Sequence, residues 1–375
     1  MFKNLWYNTG MKFRFSDFFS DVTNFVKGGR VLGVDIGTSS IKLVELSRRA
    51  DRFRLLNYGI LETKDYLEHP NLALQGDSLK LDEKKTSELL RLLVRQTGVK
   101  STTALVSIPS YSSFVTVLDM PLLSLGETEK AVLFQARQFI PLEPSEVTLD
   151  WSKVDETVNE RGQRFQKILL IGIPNEIVEV YKRTLKVAGL RTVALELESI
   201  ALARALLHAD PRPTMIVDIG GIATNVVVVE GGVMKYSGQT NHAGLYLTRA
   251  LEESLGVSMS RAEELKKRSG LLGKGSELEL STLLLSFLDV IIEEAQRLKS
   301  IFEERYSKKV QKLILTGGGA NLQGVEKYMG EQIGFPISPS QVFLDIEYDP
   351  RLGAIERGLG NELAVAVGVA RRYFM

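Results

Sequence analysis

Two stretches of the chain combine residue types that can hold a phosphate chain and a cation. The first runs Val31-Leu-Gly-Val-Asp35-Ile-Gly37-Thr38-Ser39-Ser40-Ile-Lys42 and continues to Leu46. The second runs Met215-Ile-Val-Asp218-Ile-Gly220-Gly221-Ile-Ala-Thr224-Asn225 and continues to Val229. Each reads as an apolar strand, Asp-Ile-Gly, a small polar turn and a second apolar strand. Glycine lets the backbone come close to a ligand. Successive backbone N–H groups, with the Thr38 and Ser39 hydroxyls, can cradle phosphate oxygens. Asp35 and Asp218 would repel a phosphate but can hold Mg²⁺ through water, because that ion keeps much of its hydration shell. Lys42 lies on the return strand and can reach back to a phosphate. One Asp-Ile-Gly turn is an ordinary hairpin. Two matched copies, about half a chain apart, predict two related lobes facing each other.

A third cluster, Thr316-Gly317-Gly318-Gly319-Ala320, follows the apolar run from Lys312. A strand that runs into three glycines lets a flat ring or a sugar lie against bare backbone. Between the second and third clusters, Glu263 and Lys266 are three residues apart and share a helix face, as many surface ion pairs do. The 3- and 4-residue spacing of Leu284, Leu285, Leu288, Ile291, Ile292, Ala295, Leu298 and Phe302 predicts a core helix of the second lobe.

The elements that must position these groups belong to a sizeable globular chain. Its 375 residues, 44% apolar and 25% charged, suit two to three domains with a real core. Lys plus Arg is 47 and Asp plus Glu is 46, so no basic surplus marks a general nucleic-acid binder. There is no cysteine, which excludes disulfides, thiolate metal sites and a cysteine nucleophile. The three histidines share no ligand spacing. No apolar run reaches transmembrane length and no signal-peptide pattern opens the chain, so a soluble body is expected.

Residues 1–29 differ from the rest. They hold six of the sixteen phenylalanines, and Phe15, Phe18, Phe19, Val22 and Val26 recur at helical spacing. Such a face, with a mildly basic opposite side, suits a membrane surface or a partner groove, or packs on this protein's own body. The true start can be Met1 or Met11.

The ordered triplet of turns resembles the actin-like ATPase superfamily, which has a two-lobed α/β fold that clamps ATP·Mg²⁺. Asp35 to Lys42 resembles its first phosphate motif, Asp218 to Asn225 the second, and Gly317 to Gly319 the adenosine motif. Glu263 and Lys266 are placed like the pair that holds the ribose and adenine. Glu198, opening Glu198-Ser-Ile-Ala201, resembles the catalytic acid that orients water in hydrolytic members. The second turn has Ile222-Ala223 where the superfamily favours glycine and threonine, so Thr224 sits one place late. Within the superfamily, residues 30–375 resemble the PilM proteins of type IV pilus assembly, of the FtsA-like branch. Ser107-Ile-Pro109, Leu118-Asp-Met-Pro121 and Gln135 to Pro141 look like the 1C subdomain of those proteins.

The residues themselves set apart an amphipathic segment 1–29, and the resemblance implies the other bounds: lobe 1 (1A) over 30–100 and 165–213; 1C over 101–164; lobe 2 (2A) over 214–246 and 310–375; and 2B over 247–309. It implies a cytoplasmic ATP-binding scaffold, peripheral to the inner membrane, with at most slow hydrolysis. The partners implied are the N-terminal peptide of PilN and other pilus platform proteins, with homo-oligomers left open. The peptide would lie between 1A and 1C, on a strand pair around Ser107–Leu118 and the helix 127–139, with Phe114, Val115 and Phe139 as walls. The alternatives are an FtsA-like membrane-associated filament protein and a small-molecule kinase.

Overall fold

The computed structural model of the protein describes residues 29–50, 52–62, 83–208, 210–271 and 278–375. The helix expected within residues 1–29 lies outside the described residues apart from Gly29. The first lobe is a six-stranded sheet in the order β14-β3-β2-β1-β4-β8. Its strands are β1 (Arg30–Ile36), β2 (Ser40–Arg49), β3 (Arg52–Glu62), β4 (Thr103–Ile108), β8 (Arg191–Leu197) and β14 (Ile346–Glu347). The second lobe is a five-stranded sheet, β11-β10-β9-β12-β13. It uses β9 (Thr214–Ile219), β10 (Thr224–Glu230), β11 (Val233–Thr240), β12 (Lys312–Thr316) and β13 (Ile337–Ser338). The two sheets repeat one plan. An antiparallel three-strand meander, β1-β2-β3 or β9-β10-β11, is extended by strands parallel to its first member.

Three helices cover or join these sheets early in the chain: α1 (Glu83–Thr97), α3 (Asn175–Val187) and α4 (Glu198–Leu206). The second lobe adds α5 (Gly244–Leu255), α6 (Met259–Ser269), α7 (Leu278–Tyr306) and α8 (Val325–Ile333). The chain closes with α9 (Glu356–Arg372). An antiparallel sheet, β5-β7-β6, forms 1C with α2 (Leu125–Phe139) on one face. Its strands are β5 (Phe114–Pro121), β6 (Val147–Val158) and β7 (Arg164–Pro174).

Helices α4 and α9 lie between the two sheets. α4 packs on β4 and β8 of one lobe and β10 and β11 of the other; α9 packs on β1, β2 and β4, and on β12. Nearly every side chain of α9 from Leu359 to Arg372 is buried. The valines and glycine of its Ala-Val-Ala-Val-Gly-Val-Ala run offset the helix propensity of the alanines, and packing on both sides supports the helix. Small residues are required there. A Cβ on Gly368 would lie 2.0 Å from the Ala201 carbonyl oxygen of α4.

Several expected bounds move. Residues 310–375 were expected in lobe 2, yet β14 joins the first sheet and α9 shares the first lobe's core, because the small residues of α9 seat it there. β4 lies within the expected 1C span but pairs with β1 and β8. β7, expected in lobe 1 from residue 165, is the central strand of 1C. Ser107 and Leu118 therefore do not share a strand pair, since β5 pairs with β7 instead. The expected apolar stripe of α7 is seen, with Leu284, Leu288, Ile291, Ile292, Ala295, Leu298 and Phe302 buried. Only its start packs with α5 and α6 as 2B; from Leu288 it belongs to lobe 2.

The close contact of α9 with α4 makes a sharp prediction. Gly368→Val should destabilise by roughly 3 kcal/mol or more, or abolish folding, through overpacking against backbone. Gly358→Ala, where the nearest atom to the new Cβ is 3.6 Å away, should be neutral or mildly stabilising. Urea unfolding midpoints would compare them.

Candidate functional site

The two Asp-Ile-Gly hairpins face each other across the cleft between the lobes. Their registers match: Asp35 pairs with Lys42 across β1 and β2, and Asp218 pairs with Asn225 across β9 and β10. Their turns match too, Gly37 N donating to Ser40 O at 3.0 Å and Gly220 N to Ala223 O at 3.1 Å. The turns touch. A Cβ on Gly221 would lie 2.6 Å from Ser39 Oγ and 3.1 Å from Thr38 Oγ1, so only glycine fits that approach.

Between the turns lies a cavity of about 60 Å³, lined among others by Asp35, Gly37, Thr38, Ser39, Lys42, Glu198, Asp218, Gly220, Gly221, Asn225, Gly317 and Gly318. The chain thus brings together in one place residues from three distant segments, as expected. It also brings in residues that sequence reasoning missed. Ser107 Oγ donates to Asp35 Oδ1 at 2.8 Å, and both are buried. Glu198 Oε1 accepts from Ser110 N and from Asn225 Nδ2, each at 2.9 Å. Tyr111, Asn361 and Glu362 also line it. Ser107 is invisible without knowing that β4 pairs with β1.

The electrostatics are unbalanced. Lys42 Nζ stands 3.5 Å from Asp35 Oδ2. Burial alone would lower the Lys42 pKa, but Asp35, Asp218 and Glu362 together raise it. Burial pushes Glu198 up to about 8, with Asp218 and Asp35 adding, against the hydrogen bonds from Ser110 and Asn225. Burial likewise lifts Asp218 to about 6, with Lys42 opposing and Asp35 adding. Three carboxylates around one ammonium favour a further cation. Among the described residues no three His, Cys, Asp or Glu side chains converge closely enough to ligate a metal directly. At about 60 Å³ the space between the turns is the size of a few waters.

Other expected site residues lie elsewhere. Thr224 does not meet the cleft; it is fully buried and its hydroxyl donates to His242 O at 2.7 Å. The reason is strand alternation. Thr224 occupies the place in its hairpin that Ile41 occupies in the first, and that face points into the core. Gly319 packs against Ile219 rather than lining the cavity. Glu263 and Lys266 pair at 2.6 Å behind the second turn. Lys266 Nζ also donates to Gly244 O at 2.8 Å, and Gly244 N donates to Gly220 O at 3.0 Å. A second, open groove of about 720 Å³ shares Asn361 and Glu362 with the cavity and runs between Ala320–Lys327 and Ala354–Leu359.

On 1C, Phe114 is half-buried against the 1C core and Val115 against the first lobe's core. Phe139 is 49% exposed at the end of α2. The sequence reading missed Phe134, which is 68% exposed on the same helix. Its signal was an aromatic residue among the polar positions Glu127, Lys130 and Arg137.

The raised acids predict a pH dependence. The unfolded chain ionises Glu198 and Asp218 near their ordinary 4.5 and 3.8, while the folded chain holds the protons longer. Their stabilisation is full below about pH 4 and is lost as pH rises to about 8. The ligand-free protein should therefore melt at lower temperature at pH 8 than at pH 5. In Glu198→Gln that drop should shrink by about 2 °C or more, read by circular dichroism.

The comparisons agree with this architecture. The family model for type IV pilus assembly protein PilM matches residues 33–374. A chain of a PilM–PilN type IV pilus biogenesis complex superposes with a TM-score of 0.77 at 21% identity, covering 93% of this chain and 99% of that one. MreB5 of Spiroplasma citri bound to ADP superposes with a TM-score of 0.51 at 14% identity, over 90% and 94% of the two chains. The cell division protein FtsA of Enterococcus faecalis is 21% identical over 335 residues, covering 80% of this chain and 76% of that protein. The two-lobed fold is therefore the actin-like ATPase fold with an FtsA-type 1C subdomain, and the chain belongs to the type IV pilus assembly protein PilM family.

Proposed function

We propose that the chain is a scaffold of the type IV pilus inner-membrane platform, working on the cytoplasmic side, which binds ATP·Mg²⁺ between its lobes and the N-terminal peptide of PilN between 1A and 1C. The observation that carries the nucleotide half is the pair of in-register hairpins, each ending its first strand in an aspartate and presenting a small-residue turn to the other. Gly37, Thr38, Ser39, Gly220 and Gly221 would cradle the phosphates. Lys42 would neutralise them, and Asp35 and Asp218 would hold Mg²⁺ through water. Gly317 and Gly318 would face the nucleoside, whose base has room in the open groove beyond Asn361. Glu263 and Lys266 would support the ribose side by bracing Gly244 and the second turn. The bound Mg²⁺ would supply charge neutralisation for the phosphates.

Glu198 is positioned by Ser110 and Asn225, and burial raises its pKa. The peptide half rests on family membership and on the neighbour named as a PilM–PilN complex. Phe134 and Phe139 on α2 and the half-buried Phe114 offer apolar walls, whereas Val115 alternates to the other face of the 1C sheet. Part of the β5 edge is already used, because Arg305 Nη2 donates to Val117 O at 2.8 Å. A peptide added as a strand has the Phe114–Thr116 end of β5 or the outer edge of β6. No helix among the described residues is long and apolar enough to cross a membrane.

Isothermal titration with a synthetic PilN N-terminal peptide, with and without ATP·Mg²⁺, tests both halves. Saturable binding is expected, weakened about tenfold or more by Phe134→Glu or Phe139→Glu. Asp218→Asn should weaken nucleotide binding by a similar factor. Turnover should stay below about 1 s⁻¹. No peptide binding, together with ATP-dependent filaments on lipid by electron microscopy, would favour the FtsA-like reading instead. Phosphate transfer to sugars or short acids would favour a kinase.

A further inference from the structure

The 1C subdomain is bound to the second lobe by a cluster that no part of the cleft requires. Asp119 on β5 pairs with Lys167 on β7 at 2.6 Å and with Arg305 at the end of α7. Arg305 also holds the Val117 carbonyl. Lys167 Nζ lies 5.3 Å and Lys235 Nζ 5.7 Å from the ring centroid of Tyr306. Tyr306 OH donates to Lys235 O at 2.9 Å, and Lys235 Nζ donates to Val154 O on β6. Lys167, Lys235 and Tyr306 are each at least nine-tenths buried. Beneath them β5 and β6 pack on β11 of the second lobe. Buried cations with fixed partners make a stiff junction, because separating them would strand a charge.

The link to the first lobe carries fewer ion pairs: Val115 and Ile173 pack on the core around the first sheet, and Asp150 of β6 is largely buried near Arg372 of α9. The chain enters 1C through residues 109–113 and leaves it at Pro174. The entering crossover is fastened by Ser110 N to Glu198, a residue that lines the cleft and is shared with Asn225 of the second lobe.

We propose that 1C is carried by the second lobe and hinged on the first, so that parting or closing the lobes around a nucleotide moves 1C against the first lobe and resets the groove between them. This rests on the reading of the cleft and groove given above, and it names how one would regulate the other. Reciprocity follows: peptide and nucleotide must change each other's affinity by the same factor.

The chain has no cysteine, so introduced pairs can be spin-labelled alone. One pair, Glu160→Cys with Lys84→Cys, reports 1C against the first lobe. The other, Glu160→Cys with Glu331→Cys, reports 1C against the second; all three positions are exposed. With Mg²⁺ and a non-hydrolysable ATP analogue, the first distance should shift by several ångström and the second should stay. Asp119→Asn combined with Arg305→Ala should broaden the second distribution with or without nucleotide, and should remove the nucleotide dependence of peptide affinity. Three results would overturn the proposal: a fixed first distance with nucleotide bound, a second distance that moves instead, or distributions unaltered in the double variant. A fluorescent ATP analogue reads nucleotide binding separately. If it does not bind, the cleft reading falls while the double variant still decides whether 1C is carried by the second lobe.

Discussion

Three buried carboxylates from two lobes line one cleft with a single lysine, and the rest of the molecule answers to that imbalance. Asp35 and Lys42 come from the first hairpin, Asp218 from the second, and Glu198 from the helix between the sheets. Each is kept in place by a neutral donor: Ser107 on Asp35, Asn225 on Asp218, and Ser110 with Asn225 on Glu198. Those donors orient the acids without neutralising them. Burial then makes the negative charge costly, so a proton or a cation is taken up.

Holding acids from two lobes together needs a rigid layer between the lobes. α4 and α9 are that layer. α9 belongs by packing to the first lobe, yet its Asn361 carbonyl accepts from Gly317 N and Thr316 Oγ1 of the second. The glycine turn after β12 is thereby tied to the helix that lines the cleft. At the far end of α9, Arg371 pairs with Asp345, and Arg372 holds the Leu195 carbonyl beside the Glu196–Arg204 pair. The helix is pinned at both ends and packed on small residues between them, so it contacts both lobes as one piece.

How much of this was legible in the sequence depended on range. The hairpins were, because strand, turn and return strand lie within about fifteen residues and repeat. The stripe of α7 was, because a 3.6-residue period is local. The home of α9 was not: its alanines and glycine announce close packing but not against which sheet. The bounds of 1C were misplaced for the same reason, since β4 and β7 differ only in their non-local partners. Within the site, the acids and glycines announced themselves by type, whereas Ser107, Ser110 and Asn361 are common residues made relevant by pairing. Thr224 was assigned by type alone, when its register against Ile41 already turned it inward.

The repeat also explains why its two halves are not equivalent. Lys42 and Asn225 occupy the same place opposite an aspartate, one charged and one neutral. A lysine at 225 would reach Glu198, pair with it and pull its pKa down, leaving an ionised acid fixed in a salt bridge. The amide instead donates to Glu198 while leaving it free to keep or lose its proton. The same carboxylate oxygen accepts from Ser110, where the chain turns toward 1C. A neutral partner on one side and a backbone partner on the other leave Glu198 responsive to whatever occupies the cleft, and mechanically connected to the subdomain beyond it.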